Sequence, residues 1–406
     1  MAVEPPTNAD LTSIGTPRVS ATIDRSSMTT PEGAGVAGPS RVEALAAARR
    51  PYIDWARALA LLVMIEAHTI DAWTRAAARQ TAAFRHAMIL GGFAAPLFLW
   101  LAGVSLVLSA ASVARREGSR RAAVDAVCRR GLEIFLLAFL FRLQGFVVTP
   151  GGPLLSLFSV DILNIMGPSI AAAGLVWGLA RTTRRLVASY AMMAIAMAML
   201  TPVVRASALV NDLPTWVQWY LRPAAGYTTF TALPWAGFVF AGAAVGALLA
   251  PIREAARERR LQMWLAGAGG VLVSGGFYTA TLPTIYRQSS FWTSSPTFFM
   301  IRVGALMLAF AAIYALAHLA GRQGMELRPL SRFGRSSLFV YWIHVELVYG
   351  YLSGPLHARL PLWGTFVAYT LFTMLMYGAV VLKDRIIVRW TGRRRVRQAS
   401  QPATAW

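Results

Sequence analysis

Apolar runs of ~18 or more residues, nearly free of charge, recur about ten times along this chain, and each is long enough to cross a ~30 Å hydrocarbon core as an α-helix. That length constrains the fold. In lipid the backbone must satisfy its own hydrogen bonds within each segment, so the expected class is all-α, a polytopic transmembrane bundle of about ten spanning helices. The runs fall near 54–73, 90–113, 131–149, 159–180, 186–204, 229–251, 262–283, 297–320, 335–354 and 363–383. A composition of 56% hydrophobic and 14% charged residues over 406 positions agrees with that reading.

A net charge of +21 and a pI near 11.3 would ordinarily suggest a nucleic-acid partner. The distribution argues otherwise. Arginines cluster in short loops at alternating ends of the apolar runs: Arg115, Arg116, Arg120, Arg121, Arg129 and Arg130 after the second, Arg181, Arg184 and Arg185 after the fourth. The pattern repeats with Arg253, Arg257, Arg259 and Arg260 after the sixth, Arg322, Arg328, Arg332 and Arg335 after the eighth, and Arg389 and Arg393 to Arg395 after the tenth. The loop after the third run, Thr149 to Pro153, carries no charge. Every even-numbered span therefore ends on the basic side, which predicts both termini in the cytoplasm and no nucleic-acid partner.

Residues 1–44 hold five prolines and no aromatic side chain, a composition expected to stay disordered as an N-terminal tail. Residues 45–390 form the expected membrane domain and 391–406 a basic C-terminal tail. The N-terminal stretch shows no short apolar run with a small-residue cleavage site, so the first span is expected to act as an uncleaved insertion signal. Cys128 is the single cysteine, which leaves neither an intrachain disulfide nor a cysteine-based metal site, and no metal is expected.

The ionisable residues inside these apolar runs are the functional candidates, because a charge in lipid must face protein or a water-filled cavity. Arg57 and His68 lie eleven residues apart in the first span. At ~100° and ~1.5 Å per residue they fall on one stripe about 16 Å apart. Such a pair suits a histidine base in a transmembrane cavity, with an arginine at the cytoplasmic mouth for an anionic group such as a phosphate. It equally suits a snorkelling arginine and one structural interhelical hydrogen bond. Glu66 lies about 200° round the helix from His68 and belongs to another contact.

The alternating topology puts His68, Arg142, Asp161 and Asn164 in the outer half of the bundle, with His86 on the loop after the first span. Arg142 reads as either a structural ion pair with Asp161 or a substrate contact. Asp161 and Asn164, three residues apart, suit sugar hydroxyls or a helix cap. His344 and Glu346 in the ninth span serve either a proton or substrate path or a buried hydrogen bond. No P-loop, His-Glu-x-x-His or Gly-x-Ser-x-Gly motif is present, which removes the usual warrant for an ATPase, a zinc protease or a serine hydrolase.

Four blocks carry a family resemblance: Asp54-Trp-Ala-Arg57 through His68; Phe93-Ala-Ala-Pro-Leu-Phe-Leu-Trp-Leu-Ala-Gly-Val-Ser105; Leu233-Pro-Trp-Ala-Gly-Phe238; and Phe333-Gly-Arg-Ser-Ser-Leu-Phe-Val-Tyr-Trp-Ile-His344-Val-Glu346-Leu-Val-Tyr349. In order and in content the chain resembles bacterial members of the heparan-α-glucosaminide N-acetyltransferase-like family. The arginine, ten residues, histidine spacing is also similar to that of the acyltransferase-3 membrane proteins.

The resemblance implies a multi-pass protein of the bacterial inner membrane that moves an acetyl or other acyl group from cytosolic acetyl-CoA to an amine or hydroxyl of a sugar, glycan or glycolipid at the outer side. Within that expectation Asp54 and Arg57 are the candidates for acyl-CoA binding, and Arg142, Asp161, Asn164, His344 and Glu346 are candidates for acceptor binding or support. In eukaryotic members the position matching His68 is an asparagine and the catalytic histidine comes later, before the proline block. The nearest counterpart of that histidine here is His86, ten residues ahead of Pro96. His68 is taken as the first catalytic candidate and His86 as the second, acting as a base or as a carrier of the acetyl group. A homodimer is compatible with the resemblance. The competing expectation is a transporter or flippase without acyl transfer, since buried charges and small-residue helices also serve permeation.

Overall fold

The computed structural model describes residues 50–148, 153–325 and 327–399, with side chains as far as 390. The stretch 1–44 expected as a tail lies outside the described residues. Among those described there are thirteen α-helices and no strand. They are α1 (Pro51–Trp73), α2 (Ala82–Gly91), α3 (Ala94–Glu117), α4 (Arg120–Val148), α5 (Ile162–Leu179), α6 (Thr183–Ala206), α7 (Thr215–Leu221), α8 (Ala232–Leu249), α9 (Ala255–Ala280), α10 (Pro296–Arg322), α11 (Arg328–Arg335), α12 (Ser337–Tyr349) and α13 (Leu362–Ala399).

Nine of the ten apolar runs lie mainly on helices of 18 residues or more, the ninth falls largely on the 13-residue α12, and seven stretches among the described residues are long and apolar enough to cross a bilayer. They lie over α2 with α3, and on α4, α5, α6, α8, α10 and α13. The chain is a multi-pass membrane protein. The outer faces match that environment: Leu132, Leu136, Leu140 and Leu143, one stripe of α4, stand exposed where lipid would cover them. The last helix continues through most of the stretch expected as a basic tail, to Ala399.

Local sequence explains how the helices start. Pro51 and Pro296 occupy first-turn positions of α1 and α10, where a missing N–H costs nothing. At α5, the Asp161 carboxylate accepts from the Leu163 N–H at 2.9 Å and the Asn164 side chain accepts from the Asp161 N–H at 3.0 Å. These two bonds satisfy groups that a helix end otherwise leaves unpaired.

Between helices in lipid, packing replaces the hydrophobic effect as the driving force, and small residues let backbones approach. A methyl group added at Gly103 of α3 would overlap the Val239 carbonyl of α8, and one at Gly242 would overlap the Trp100 carbonyl. Overpacking of this kind costs about 1–3 kcal/mol. Beside this contact lie the fully buried rings of Trp100, Phe238, Phe240 and Phe310.

The segments that matter most for the site meet α1. Gly334 of α11 packs directly on the Asp54 carbonyl, a contact with no room for a side chain. At the other end of α1 the Arg75 N–H donates to the Leu360 carbonyl, and the Leu360 N–H to the Trp73 carbonyl, both at 2.9 Å. The Trp73 indole N–H donates to the Val348 carbonyl at 3.2 Å. These ties pin α12 alongside α1 over its length.

Candidate active site

One cavity of about 790 Å³ runs along α1 and is lined by both Arg57 and His68. Its size lies within the ~300–1,000 Å³ of ordinary small-molecule sites. The two ends differ in chemistry. Five arginines and a single carboxylate, Asp161, line it, so the whole cavity favours anions.

At one end stand Arg57, Ser105, Ser109, Arg130 and Arg335. Arg57 donates to the Asp54 carboxylate at 3.0 Å and to the Ser105 hydroxyl at 2.6 Å. Asp54 is buried and does not line the cavity, so it acts from behind, holding the guanidinium in place. Arg130 is paired with Glu133 at 3.1 Å on an exposed helical turn, and Arg335 is exposed at the end of α11. Planar guanidinium groups lining one cavity suit phosphate oxygens.

At the other end stand His68, Arg142, Asp161, Trp235, Arg302 and Tyr349. His68 Nδ1 lies 2.9 Å from His344 Nε2, with the two ring planes parallel to within 1°. His344 is fully buried, and its Nδ1 lies 2.9 Å from the Val340 carbonyl oxygen. Tyr349 meets His68 edge-on at 5.6 Å, and its hydroxyl donates to Asp71 at 3.1 Å. His68 is therefore held from behind and from the side while it faces the cavity.

Arg142 Nε lies 3.5 Å from Asp161, whose other carboxylate oxygen caps α5. Arg302 is different. Its guanidinium carbon sits 4.1 Å from the Phe298 ring centroid and 5.6 Å from that of Trp235, and no carboxylate among the described residues pairs with it. Its Nε is buried without a hydrogen-bond partner among those residues. Trp235 in turn packs edge-on against Phe230 at 4.6 Å, giving this end an aromatic wall. Outside the spans, burial raises the Tyr220 hydroxyl above its ordinary pKa, the Asn164 hydrogen bond opposes this and the Asp161 charge adds to it. Tyr220 thus stays neutral beside the α5 cap.

Four sequence candidates, Arg57, His68, Arg142 and Asp161, line the same cavity, and two more, Asp54 and His344, support them from behind. Asn164 is buried in the cap of α5. His86 is exposed on α2 and does not line the cavity. Glu346, one half-turn from His344, is half-buried beside Gly145 and does not line it either. Glu66 is buried against Gly91 on another side of α1.

Arg302 was not anticipated at the site, Trp235 and Tyr349 entered only as members of the family blocks, Arg335 as a block member and a loop charge, and Arg130 only as a loop charge. A lone arginine in the apolar run of α10 is the same signal that singled out Arg142, and it marks Arg302. No group of three or more metal-ligating side chains occurs among the described residues.

A helical membrane protein with an anion-favouring internal cavity and a hydrogen-bonded histidine pair belongs to the class that handles small polar molecules within lipid. The catalytic-domain family of heparan-alpha-glucosaminide N-acetyltransferase matches residues 49–276, more than half of the chain, and the chain belongs to that family. It is a membrane acetyltransferase. No curated protein matches the chain. The matched stretch includes Arg57, His68, Arg142 and Asp161 and ends before Arg302 and His344.

Proposed function

We propose that the protein takes an acetyl group from cytosolic acetyl-CoA at the Arg57 end of the cavity and delivers it, at the His68 end, to an amine or hydroxyl of a sugar acceptor presented from the other side of a bacterial inner membrane. The observation that carries this reading is the continuity of one cavity from Arg57 to His68. The positive-inside pattern supports ten spans with both termini cytoplasmic, which turns the Arg57 end towards the cytosol. Residues 45–390 make up the transferase domain in this reading, with 1–44 and 391–406 as tails.

Arg57, Arg130 and Arg335 hold the phosphates of the coenzyme, and Asp54 keeps Arg57 aligned. The thioester then extends along the stripe towards His68. His68 removes a proton from the acceptor as its nitrogen or oxygen attacks the thioester carbon. The new C–N or C–O bond forms as the C–S bond breaks, and the proton on His68 passes to the departing thiolate of CoA. Asp161 and Arg142 engage acceptor hydroxyls, the Trp235 and Phe230 wall stacks on its apolar face, and Arg302 holds an acidic substituent.

The test is transfer of labelled acetyl from acetyl-CoA supplied on one side of proteoliposomes to a sugar supplied on the other. Transfer that requires the two substrates on opposite sides is the expected result. Activity that survives both His68→Ala and His86→Ala overturns the histidine mechanism, and sugar flux without coenzyme replaces the enzyme with a transporter.

A further inference from the structure

We infer that His344 is a positioning residue that fixes the tautomer of His68, placing the proton on His68 Nδ1 and leaving Nε2 as the only nitrogen able to act as a base. The catalytic consequence rests on the acetyl-transfer reading; the tautomer itself does not.

Val340, His344 and His68 form a chain of hydrogen bonds whose polarity is set at one end. The Val340 carbonyl oxygen can only accept, so the His344 Nδ1 that lies 2.9 Å from it must carry a hydrogen. A neutral imidazole has one N–H, which leaves a lone pair on His344 Nε2. That lone pair faces His68 Nδ1 at 2.9 Å with the rings parallel, and two lone pairs cannot meet at this distance. The hydrogen therefore belongs to His68 Nδ1. In water an isolated histidine side chain prefers its hydrogen on Nε2, so the contact reverses the default and keeps the opposite nitrogen bare.

The same geometry excludes a proton wire. After His68 takes a proton at Nε2, the cation shares its Nδ1–H with His344, whose own Nδ1–H ends at a carbonyl that cannot pass a proton on. The proton leaves by the nitrogen through which it came, to the leaving thiolate. His344 is fully buried and does not line the cavity, so it acts only through His68. The Tyr341 ring, one turn earlier on α12, meets it edge-on at 5.8 Å.

The chain has five histidines, few enough for a spectrum of protein labelled with ¹⁵N only at histidine. The His68 signals are identified by their loss in His68→Asn. At a pH where the pair is neutral, the expected result is a protonated Nδ1 and a bare Nε2 at His68. That tautomer persists in His344→Gln, whose amide oxygen can accept from Nδ1, and changes in His344→Ala.

In parallel, His344→Ala is expected to lower kcat on the order of 10²-fold or more with little change in the KM for acetyl-CoA, and His344→Gln to recover much of the loss. An Nε2–H tautomer in the unmodified protein overturns the inference, as does the same His68 tautomer in His344→Ala. Should the tautomer change as expected while turnover stays the same, the positioning geometry is supported and the role of His68 as base is overturned. Wild type and His344→Gln decide the question if His344→Ala does not fold.

Discussion

The two ends of the cavity hold their charges by different means. At the Arg57 end the arginines are held by charge-bearing or hydroxyl partners, buried Asp54 and half-buried Ser105 on Arg57 and exposed Glu133 on Arg130. At the His68 end a side chain that faces the cavity is oriented by groups that do not, His344 behind His68 and Phe298 beside Arg302. The difference teaches a division of labour. Open guanidinium groups tolerate a large, flexible polyanion, whereas a base must present one nitrogen in one direction.

Substitutions that strike one end and spare the other sharpen or break this division. The largest expected effect is that of His68→Ala, which lowers kcat by about 10²- to 10⁴-fold while leaving acetyl-CoA affinity within about twofold. Labelled acetyl transfer measured beside equilibrium coenzyme binding checks both halves. A parallel loss of binding would erase the distinction between the ends.

Arg57→Gln should produce the reverse signature. Removing one charge-assisted phosphate contact is expected to raise the KM for acetyl-CoA by about 10-fold and to change kcat by less than about threefold. Steady-state kinetics with the acceptor saturating read this directly. A fall confined to kcat would move Arg57 from binding into the chemistry.

Arg302→Gln probes whether the His68 end also has a binding role. An acceptor sugar with a carboxylate or phosphate should lose about fivefold in kcat/KM relative to its neutral counterpart, with the preference weakened by salt in the unmodified protein. Competition between the two sugars in one reaction gives the ratio. Equal losses for both would make Arg302 a packing residue held by its aromatic neighbours.

The smallest effect is expected at His86. Its side chain is exposed on α2 and stands outside the cavity, so His86→Ala should keep activity within about twofold. A loss comparable to that of His68→Ala would show that α2 moves to bring it in during the reaction.

The helical architecture was largely legible from the chain, because run length and apolar content decide what can cross lipid. Arg142 illustrates where the same reasoning stopped. Depth alone made Asp161 its natural partner, and the 3.5 Å separation agrees, yet Asp161 and Asn164 also complete a cap, so the choice between cap and site was not exclusive. Arg302 carried the same mark as Arg142, a charge within an apolar run, and was legible in principle. Glu346 carried it too and faces α4 instead of the cavity, since a charge in a span announces a partner without saying which one.

By itself the sequence determined the helices, the shared stripe of Arg57 and His68, and the family, all properties of local period, run length and motif order. Only the tertiary structure decided which histidine faces the cavity and what stands behind it. His68 and His344 are 276 positions apart in the chain, and they meet because the contact of Gly334 with Asp54 and the ties at Trp73 and Leu360 lay α12 against α1. No local pattern encodes that register. It follows from close packing of one helix on another, and that packing selects the nitrogen that remains bare.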